Sequence, residues 1–259
     1  MKLVDRLFQG YTFLVYVFLY TPIAVMVIFS FNTLRSVAVW GGFTLDWYAE
    51  LLNRPGFWAT AYTTFWIGGV VTVVSVVMGT LMAYGVTRFR LRMRPLIMAV
   101  IYLPIVIPEI AESLSLLLLY VFLNVPLSAW TVVLGHIAFD ISFVTVVVHA
   151  RMAGFDRSVE EAAKTLGANE IQTFFRITLP ILMPGILAGG LLAFTLSFDD
   201  LIKTLFVRGP GVNTIPTMIW SQAARGGVSP DLNALSTFAL MISLVFAFSR
   251  SRLERSRAS

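Results

Sequence analysis

The side chains that could do chemistry in this sequence are carboxylates placed within apolar stretches. Glu109 and Glu112 are three residues apart, so they lie on one face of a helix. Asp199 and Asp200 are adjacent, about 100° apart around a helix, so only one of them can point fully inward. Asp140 lies within a further apolar stretch. An ionisable group is costly to bury in an apolar segment, so these positions are the first candidates for a binding site.

The chemistry that these carboxylates favour is the binding of a cation. With no basic partner in the same apolar stretches, an acidic lining attracts a cationic solute. Glu109 is the first choice because it follows two prolines, where a broken helix frees backbone groups to line a cavity. Asp199 or Asp200 would form an outer acidic ring, and Trp47 could offer a cation–π face. The alternative is structural, with the carboxylates capping helices or bonding to neighbouring helices.

No catalytic constellation stands out in the chain. It has no cysteine, which removes thiolate chemistry and cysteine metal sites. An intramembrane protease would need a serine–histidine pair, two facing aspartates or a metal-binding histidine cluster. His136 and His149 are isolated, so helix packing is the expected role of both. The sequence also lacks a glycine-rich phosphate loop ending in Gly-Lys-Ser/Thr, so we predict no enzyme activity, no cofactor and no metal in this chain.

The elements that must position these residues are membrane-spanning helices. The 259-residue chain is 58% hydrophobic and 13% charged, whereas soluble domains carry roughly 25% charged residues. A spanning helix needs about 20 mostly apolar residues. Six stretches satisfy this, at approximately 11–31, 61–87, 96–123, 130–149, 181–202 and 233–249. Two prolines predict a kink or break in the third. The expected fold is an all-α membrane protein with one domain, 1–259.

Lysine and arginine are distributed unevenly between the segments that connect these spans. With the N-terminus inside, 14 of the 19 basic residues fall in cytoplasmic segments and 5 in outer segments. Because short cytoplasmic loops carry the basic excess, both termini are predicted to be cytoplasmic. The net charge of +5 therefore reflects topology and contact with anionic lipid headgroups, and we expect no nucleic-acid partner.

The connection between the fourth and fifth spans has the most informative local pattern. Ser158, followed three residues later by Glu161, predicts a capping box that begins a helix. Gly167 can adopt the left-handed conformation that ends a helix. A second short helix is expected at 169–176, and Pro180 is expected to turn the chain into the fifth span. The result is a helix–glycine–helix elbow outside the membrane, either a solvated loop or a surface that docks another protein.

One set of positions in this elbow resembles the EAA loop of binding-protein-dependent ATP-binding-cassette importer permeases. The set matches every fixed position of that loop, at Glu161, Ala162, Ala163, Gly167, Ile177, Leu179 and Pro180. The resemblance implies a type I importer permease fold with six transmembrane helices, in which the segment 150–180 is the coupling loop. In that family the elbow rests in a groove of a separate ATPase subunit and transmits its closure to the membrane helices.

Further segments are similar to the spermidine/putrescine-type permeases, and most like the second permease of that system. They are Phe43–Tyr48, Pro108–Ile110, Ser197–Asp200, Gly209–Gly211 and Arg225–Thr237. This resemblance implies transport of polyamines or a related organic cation across a bacterial inner membrane. It also implies a second, non-identical permease subunit, two ATPase subunits that bind ATP and Mg, and an extracytoplasmic solute-binding protein.

Two alternatives stay open at the level of sequence. The same class of importer could carry another small organic solute, such as an amino-acid derivative, an opine or an organophosphonate, because relatives with other solutes share these segments. A secondary transporter would be expected to show inverted repeats and broken helices in both halves, whereas one proline-broken span is evident here.

Overall fold

The computed structural model describes residues 2–36, 38–89, 91–227 and 229–255, and leaves the side chains of 2–4, 226 and 245–255 undescribed. Arg90 and Arg257, which contribute to the charge asymmetry, lie outside these ranges. Within them the chain forms twelve α-helices and one π-helical turn, and the only strand-like pairing is a single bridge between Asn32 and Phe43.

The α-helices follow one another along the chain with mostly short connections. In order they are α1 (Lys2–Phe29), α2 (Asp46–Asn53), α3 (Phe57–Arg88), α4 (Arg94–Val106), α5 (Glu109–Phe122), α6 (Ala129–Ala153), α7 (Ser158–Thr165), α8 (Glu170–Thr173), α9 (Leu179–Asp199), α10 (Ile202–Val207), α11 (Ile215–Gly226) and α12 (Pro230–Arg255). The π-helical turn, Phe174–Thr178, joins α8 directly to α9.

Four helical segments in the described part of the chain are long and apolar enough to cross a membrane. They are Asp5–Phe29, Phe57–Arg88, Ala129–Ala153 and Glu170–Asp199. The α4–α5 pair adds a fifth if its two helices are taken together. These five correspond to the first five predicted spans, so the all-α membrane fold is confirmed. The sixth predicted span, 233–249, lies within α12 but does not enter this count, so the number six is confirmed only in part.

The third predicted span is divided into two helices whose directions differ by 107°. α4 ends before Ile107, whose backbone is extended with ψ 136°, and Pro108 immediately precedes α5. A proline disfavours helical geometry in the residue before it and has no N–H to donate, so the helix breaks here. The predicted break is therefore confirmed, whereas Pro104 is accommodated inside α4.

The contacts within the chain define two compact units. The first comprises residues 1–59 and 218–245, and the second comprises residues 60–217 and 246–259. In the first unit, Arg54 and Asp231 form an ion pair at 2.9 Å. The candidate site residues other than Trp47 all belong to the second unit. That the whole chain forms a single domain stays a prediction.

The core of the second unit lies where α6 packs against α9. Val144 and Leu182 are fully buried there. A Cβ added at Gly189 would lie 3.3 Å from Val144 Cγ1, and one added at Gly185 would lie 2.9 Å from Arg151 Cβ. Small residues at this crossing therefore let the two helix backbones approach closely, as is common between helices in lipid. This helix pair positions both candidate sites, because the elbow connects α6 to α9 and the candidate carboxylates include Asp140 of α6 and Asp200 at the end of α9.

Candidate functional site

The first arm of the elbow is α7, whose first helical residue is Ser158. The Asp156 side chain accepts a hydrogen bond from the Ser158 backbone N–H at 2.9 Å, and this bond lowers the pKa of the exposed Asp156 carboxyl. The predicted capping box of Ser158 with Glu161 is wrong. Ser158 is already inside the helix, and a residue two positions earlier satisfies its N–H.

The corner of the elbow is Gly167, which has φ +90°. The Gly167 N–H donates to the Lys164 carbonyl at 2.9 Å, and the Ala168 N–H donates to the Ala163 carbonyl at 3.0 Å. This pair of bonds is the Schellman arrangement, which satisfies the last carbonyls of a helix. The predicted left-handed glycine is confirmed, and its φ is one that residues with a Cβ rarely adopt.

The second arm of the elbow runs into the membrane span without interruption. Asn169 and Gln172 form a capping box that begins α8, and the π-helical turn carries the chain into α9. At the end of this turn the Leu179 N–H donates to the Phe174 carbonyl, five residues earlier. Pro180 has no N–H to satisfy and lies in the first turn of α9. The expectation that Pro180 turns the chain is therefore wrong, because the helix continues through it.

A buried ion pair fastens the elbow to the end of α3. Arg88 Nη2 lies 2.8 Å from Glu160 Oε1, and the two side chains are 9% and 11% exposed. The Thr178 hydroxyl donates to the same carboxylate oxygen at 2.5 Å. The Arg88 guanidinium also lies 4.8 Å from the centroid of the Phe155 ring. One carboxylate thus joins α3, α7 and the π turn below α9.

Sequence reasoning selected Glu161 and missed its neighbour Glu160. Glu161 and Ala162 are exposed, whereas Glu160 and Ala163 are the two buried positions of α7. Residues three apart share a helix face, so Glu160 and Ala163 lie together on the inner face. Because Ala162 is equally small and exposed, residue size in the sequence did not mark this face. The last three EAA positions are half-buried or exposed where the π turn meets α9: Ile177, Leu179 and Pro180.

The outer surface of the elbow carries apolar side chains that no described residue covers. Leu166 is 89% exposed, Ile171 70% and Phe175 60%. All three precede the fifth predicted span, 181–202. The helical segment Glu170–Asp199 has 30 residues, about ten more than a span needs, so its first turns are expected to extend into water. An exposed apolar surface with polar surroundings is typical of a contact with another protein.

The carboxylates of the second candidate site come from three parts of the second unit. Glu109 and Glu112 lie in the first turn of α5, Asp140 lies in α6, and Asp200 follows α9. Glu109 interacts electrostatically with Asp200 and Glu112, and the almost fully buried Asp140 interacts with the same two residues. The structure therefore places these four side chains within electrostatic range of one another, across α5, α6 and the end of α9. We call them the carboxylate cage: Glu109, Glu112, Asp140 and Asp200.

Asp199 and Asp200 point in different directions, as their adjacency predicts. The Asp200 side chain is 8% exposed, and its Oδ1 accepts hydrogen bonds from the Thr204 N–H at 2.8 Å and the Thr204 hydroxyl at 2.9 Å. His136 Nε2 lies 3.2 Å from the same oxygen. Asp199 is exposed at the end of α9. Asp200 is thus the member of the pair that faces inward.

The two histidines bond to neighbouring helices, as their isolation in the sequence predicts. His136 Nδ1 lies 2.8 Å from Ser197 Oγ, and its Nε2 lies 3.1 Å from Thr204 Oγ1. His149 Nδ1 lies 2.9 Å from Thr87 Oγ1. Among the described residues, no three side chains of His, Asp or Glu are grouped so that they could hold a metal ion.

A buried lysine changes the electrostatics of the cage. Lys203, which sequence reasoning placed in an outer segment, is fully buried, and its Nζ lies 3.2 Å from Glu112 Oε2. The ammonium also lies 3.8 Å from the centroid of the Phe139 ring. The expectation that no basic partner is buried with these carboxylates is therefore wrong. The physical reason is α10, a helix of six residues that packs against α5 and α6 and carries Lys203 inward.

Trp47 belongs to the first unit and has partners of its own. Its Nε1 donates to the Asn32 carbonyl at 2.7 Å, and the residue is 8% exposed. The Arg35 guanidinium lies over its ring, 5.4 Å from the centroid. The face that was expected to receive a solute cation therefore already meets an arginine of this chain. This placement gives Trp47 a role in holding the loop that follows α1.

Comparisons with known sequences place the chain in a family. Residues 75–255 match the binding-protein-dependent transport system inner membrane component family. The chain is 35% identical over 256 residues to the spermidine/putrescine transport system permease protein PotC of Escherichia coli (strain K12), covering 98% of this chain and 97% of that protein. It is 38% identical over 254 residues to the putrescine transport system permease protein PotI of the same strain, covering 93% and 90%.

Solved structures share the fold at low sequence identity. A chain of a bacterial ABC transporter involved in the import of the acidic polysaccharide alginate superposes with a TM-score of 0.77 at 17% identity, covering 98% of both chains. A chain of the inward-facing MetNI methionine ABC transporter superposes with a TM-score of 0.64 at 16% identity, covering 83% of this chain and 99% of that one. The expected importer-permease architecture is confirmed, and the protease and secondary-transporter alternatives are set aside. The chain belongs to the family of binding-protein-dependent transport system inner membrane components.

Proposed function

We propose that this chain is one transmembrane subunit of an ATP-driven importer that carries polyamines or a related organic cation. The observation that carries the proposal is the carboxylate cage, whose buried ammonium lies 3.2 Å from Glu112 and interacts electrostatically with the other three acidic side chains. An organic cation that leaves water for a low-dielectric path needs a compensating negative partner. The relatives named for spermidine/putrescine and putrescine transport support the same class of solute.

The elbow supports a coupling role in such an importer. Its exposed apolar surface suits a groove on an ATPase subunit, and the Arg88–Glu160 pair would carry a movement of α7 to α3. Two ATPase subunits would bind ATP and Mg, and a second, non-identical permease would complete the path. A solute-binding protein would deliver the solute from outside. An alginate transporter with the same fold has been solved in complex with an alginate pentasaccharide-bound periplasmic protein.

Glu109→Gln is expected to lower putrescine uptake roughly tenfold, the equivalent of about 1.4 kcal/mol. Glu109 lies at the exposed edge of the cage, so the substitution removes a charge without leaving a deeply buried partner unpaired. Uptake is measured with labelled putrescine in vesicles that contain the assembled importer. ATP hydrolysis in the absence of solute should stay near the wild-type rate.

Asp199→Asn is the matched control for this substitution. Asp199 is also acidic and exposed, but it lies outside the cage. Its uptake should stay close to that of the wild type, whereas Asp200→Asn should lower uptake because Asp200 faces inward. Equal uptake by Glu109→Gln and the wild type would remove Glu109 from the solute path. Import of a neutral or anionic solute in place of amines would contradict the amine assignment and leave the family assignment intact.

The proposed orientation in a bacterial inner membrane places both termini and the elbow in the cytoplasm. Thr165 in the elbow and Asn213 between α10 and α11 are both exposed, and the chain has no native cysteine. Because the basic excess predicts a cytoplasmic elbow, a cysteine at 213 should react with an impermeant maleimide in intact cells. A cysteine at 165 should react only after permeabilisation. Labelling at 165 from outside would reverse the orientation and exclude contact with a cytoplasmic ATPase.

Lys203 favours a second candidate solute for the same class of importer. The Lys203 ammonium could bind the carboxylate of a zwitterion, such as an amino-acid derivative, and the carboxylates of the cage could bind its ammonium. Competition against labelled putrescine uptake separates the two candidates. Strong competition by unlabelled polyamines and none by zwitterionic amino-acid derivatives supports the amine, and the reverse pattern supports the zwitterion.

A further inference from the structure

The Lys203 side chain is positioned by packing along its whole length. Its methylene stem passes beside Gly135, where an added Cβ would lie 3.5 Å from Lys203 Cδ and 2.7 Å from Leu116 Cδ2. A larger residue at 135 would displace the Leu116 side chain of α5, so glycine leaves room for both neighbours. Because the lysine is fully buried, its ammonium stays where the helices α5, α6 and α10 direct it.

Charge and an aromatic ring hold this ammonium, rather than directed hydrogen bonds. Nζ lies 3.2 Å from Glu112 Oε2 and 3.8 Å from the centroid of the Phe139 ring. Neither Nζ nor Glu112 Oε2 has a hydrogen bond of good geometry to any described residue. A lysine ammonium has three N–H donors. Attraction to the cage as a whole therefore keeps it in place, and a second ammonium that reached the cage would compete for the same carboxylates.

The chemistry of the lysine side chain matches that of the proposed solute. Its end is a primary ammonium on four methylene groups, and putrescine is four methylene groups with an ammonium at each end. The cage therefore already holds the group that it would recognise in a polyamine. Asp140 offers a further acceptor, because its Oδ2 is buried without a hydrogen-bond partner among the described residues. The Glu112 side chain is 18% exposed and Glu109 is exposed, so the cage can be reached from their side.

We propose that Lys203 is a tethered competitor of the transported amine, a specificity-determining residue whose ammonium stays in the carboxylate cage and competes with a solute ammonium for the same carboxylates. This inference rests on the proposed amine transport. Without solute, the lysine neutralises part of the negative charge that would otherwise be buried unpaired. With an amine present, two ammoniums share one cage, and their repulsion weakens the hold on the solute so that it is released more readily.

The test is equilibrium binding of labelled putrescine to the assembled importer in nanodiscs, without the solute-binding protein. Lys203→Met keeps an unbranched stem and removes the charge, so putrescine should bind roughly tenfold more tightly. Turnover should fall because release is slower. Lys203→Arg keeps the cation, and its guanidinium binds carboxylates in bidentate geometry. It should compete more strongly than lysine, so putrescine should bind several-fold more weakly than to the wild type.

Each outcome of this experiment bears on the inference. Unchanged or weaker binding by a Lys203→Met complex that still transports putrescine would overturn the inference and leave the proposed function standing. A wild-type complex that neither binds nor transports putrescine or spermidine would overturn the proposed function, and the inference with it. If Lys203→Met does not assemble, Lys203→Arg carries the test, because equal or tighter putrescine binding to that complex contradicts competition.

Discussion

Replacing Gly167 by valine is expected to reduce solute uptake roughly tenfold or more, while the chain still inserts and assembles. Gly167 has φ +90°. A left-handed conformation costs a residue with a Cβ about 1–2 kcal/mol and is a genuine outlier for a β-branched side chain. Apart from the glycine's two chain neighbours, no described residue has an atom within 4 Å of an added Cβ, so backbone strain, rather than a clash, would change the angle between the arms of the elbow. Solute-stimulated ATP hydrolysis should fall together with uptake.

Gly167→Asn is the matched control for the valine variant. Asparagine visits the left-handed conformation more readily than most residues with a Cβ, so its uptake should stay much closer to that of the wild type. Both variants are compared in proteoliposomes at equal amounts of assembled complex, with uptake and stimulated ATP hydrolysis measured side by side. Normal coupled uptake by a well-expressed Gly167→Val complex would contradict a coupling role for this corner.

The second large effect is expected at the ion pair that fastens the elbow to α3. Arg88→Met removes the partner of a carboxylate that is 11% exposed. Breaking a buried pair from one side typically costs about 3–5 kcal/mol, because the remaining charge is left uncompensated. The purified complex should therefore unfold at a clearly lower temperature, and uptake should fall because the ion pair that joins α7 to α3 is lost.

A double variant tests whether the loss of stability comes from the unpaired charge of Glu160. Glu160→Gln added to Arg88→Met removes the stranded charge and keeps an acceptor for the Thr178 hydroxyl, so most of the lost stability should return. Lys164→Met is the matched control in the same elbow. The Lys164 side chain is 44% exposed and that of its partner Glu170 is 74% exposed. Exposed ion pairs contribute little to the free energy of unfolding. Equal changes of stability in Arg88→Met and Lys164→Met would contradict the conclusion that the Arg88–Glu160 ion pair holds the elbow to α3.

The features that follow from local sequence were the ones that could be predicted. Hydropathy located the first five spans because lipid demands long apolar helices. Pro108 marked the break in the third because a proline acts on its own neighbours. Gly167 marked the corner because its conformation excludes most side chains. In each case the physical constraint is contained within a few residues.

The features that depend on packing between distant segments could not be predicted in this way. Lys203 follows the fifth predicted span and reads as part of an outer loop, and its burial follows from a short helix that packs against α5 and α6. Two adjacent glutamates, Glu160 and Glu161, are equivalent in sequence, and Arg88 on α3 decides which of them is the anchor. Pro180 reads as a helix boundary, but the hydrogen bonding of the π turn lets the helix continue.

The π turn also links the number of residues in the second arm to the direction in which that arm points. A π turn closes its hydrogen bond over five residues, one more than an α turn. Each residue of an α-helix rotates the chain by about 100° and advances it by about 1.5 Å. Deleting one residue from 174–177 would keep a continuous helix and rotate the second arm by that angle relative to α9. Thr178 would then be out of phase with Glu160, and Ile171 would turn away from its present direction. The nine residues between Gly167 and Ile177 therefore fix the rotation of the second arm about the axis of α9. A partner that docks on the elbow depends on this rotation as well as on the side chains.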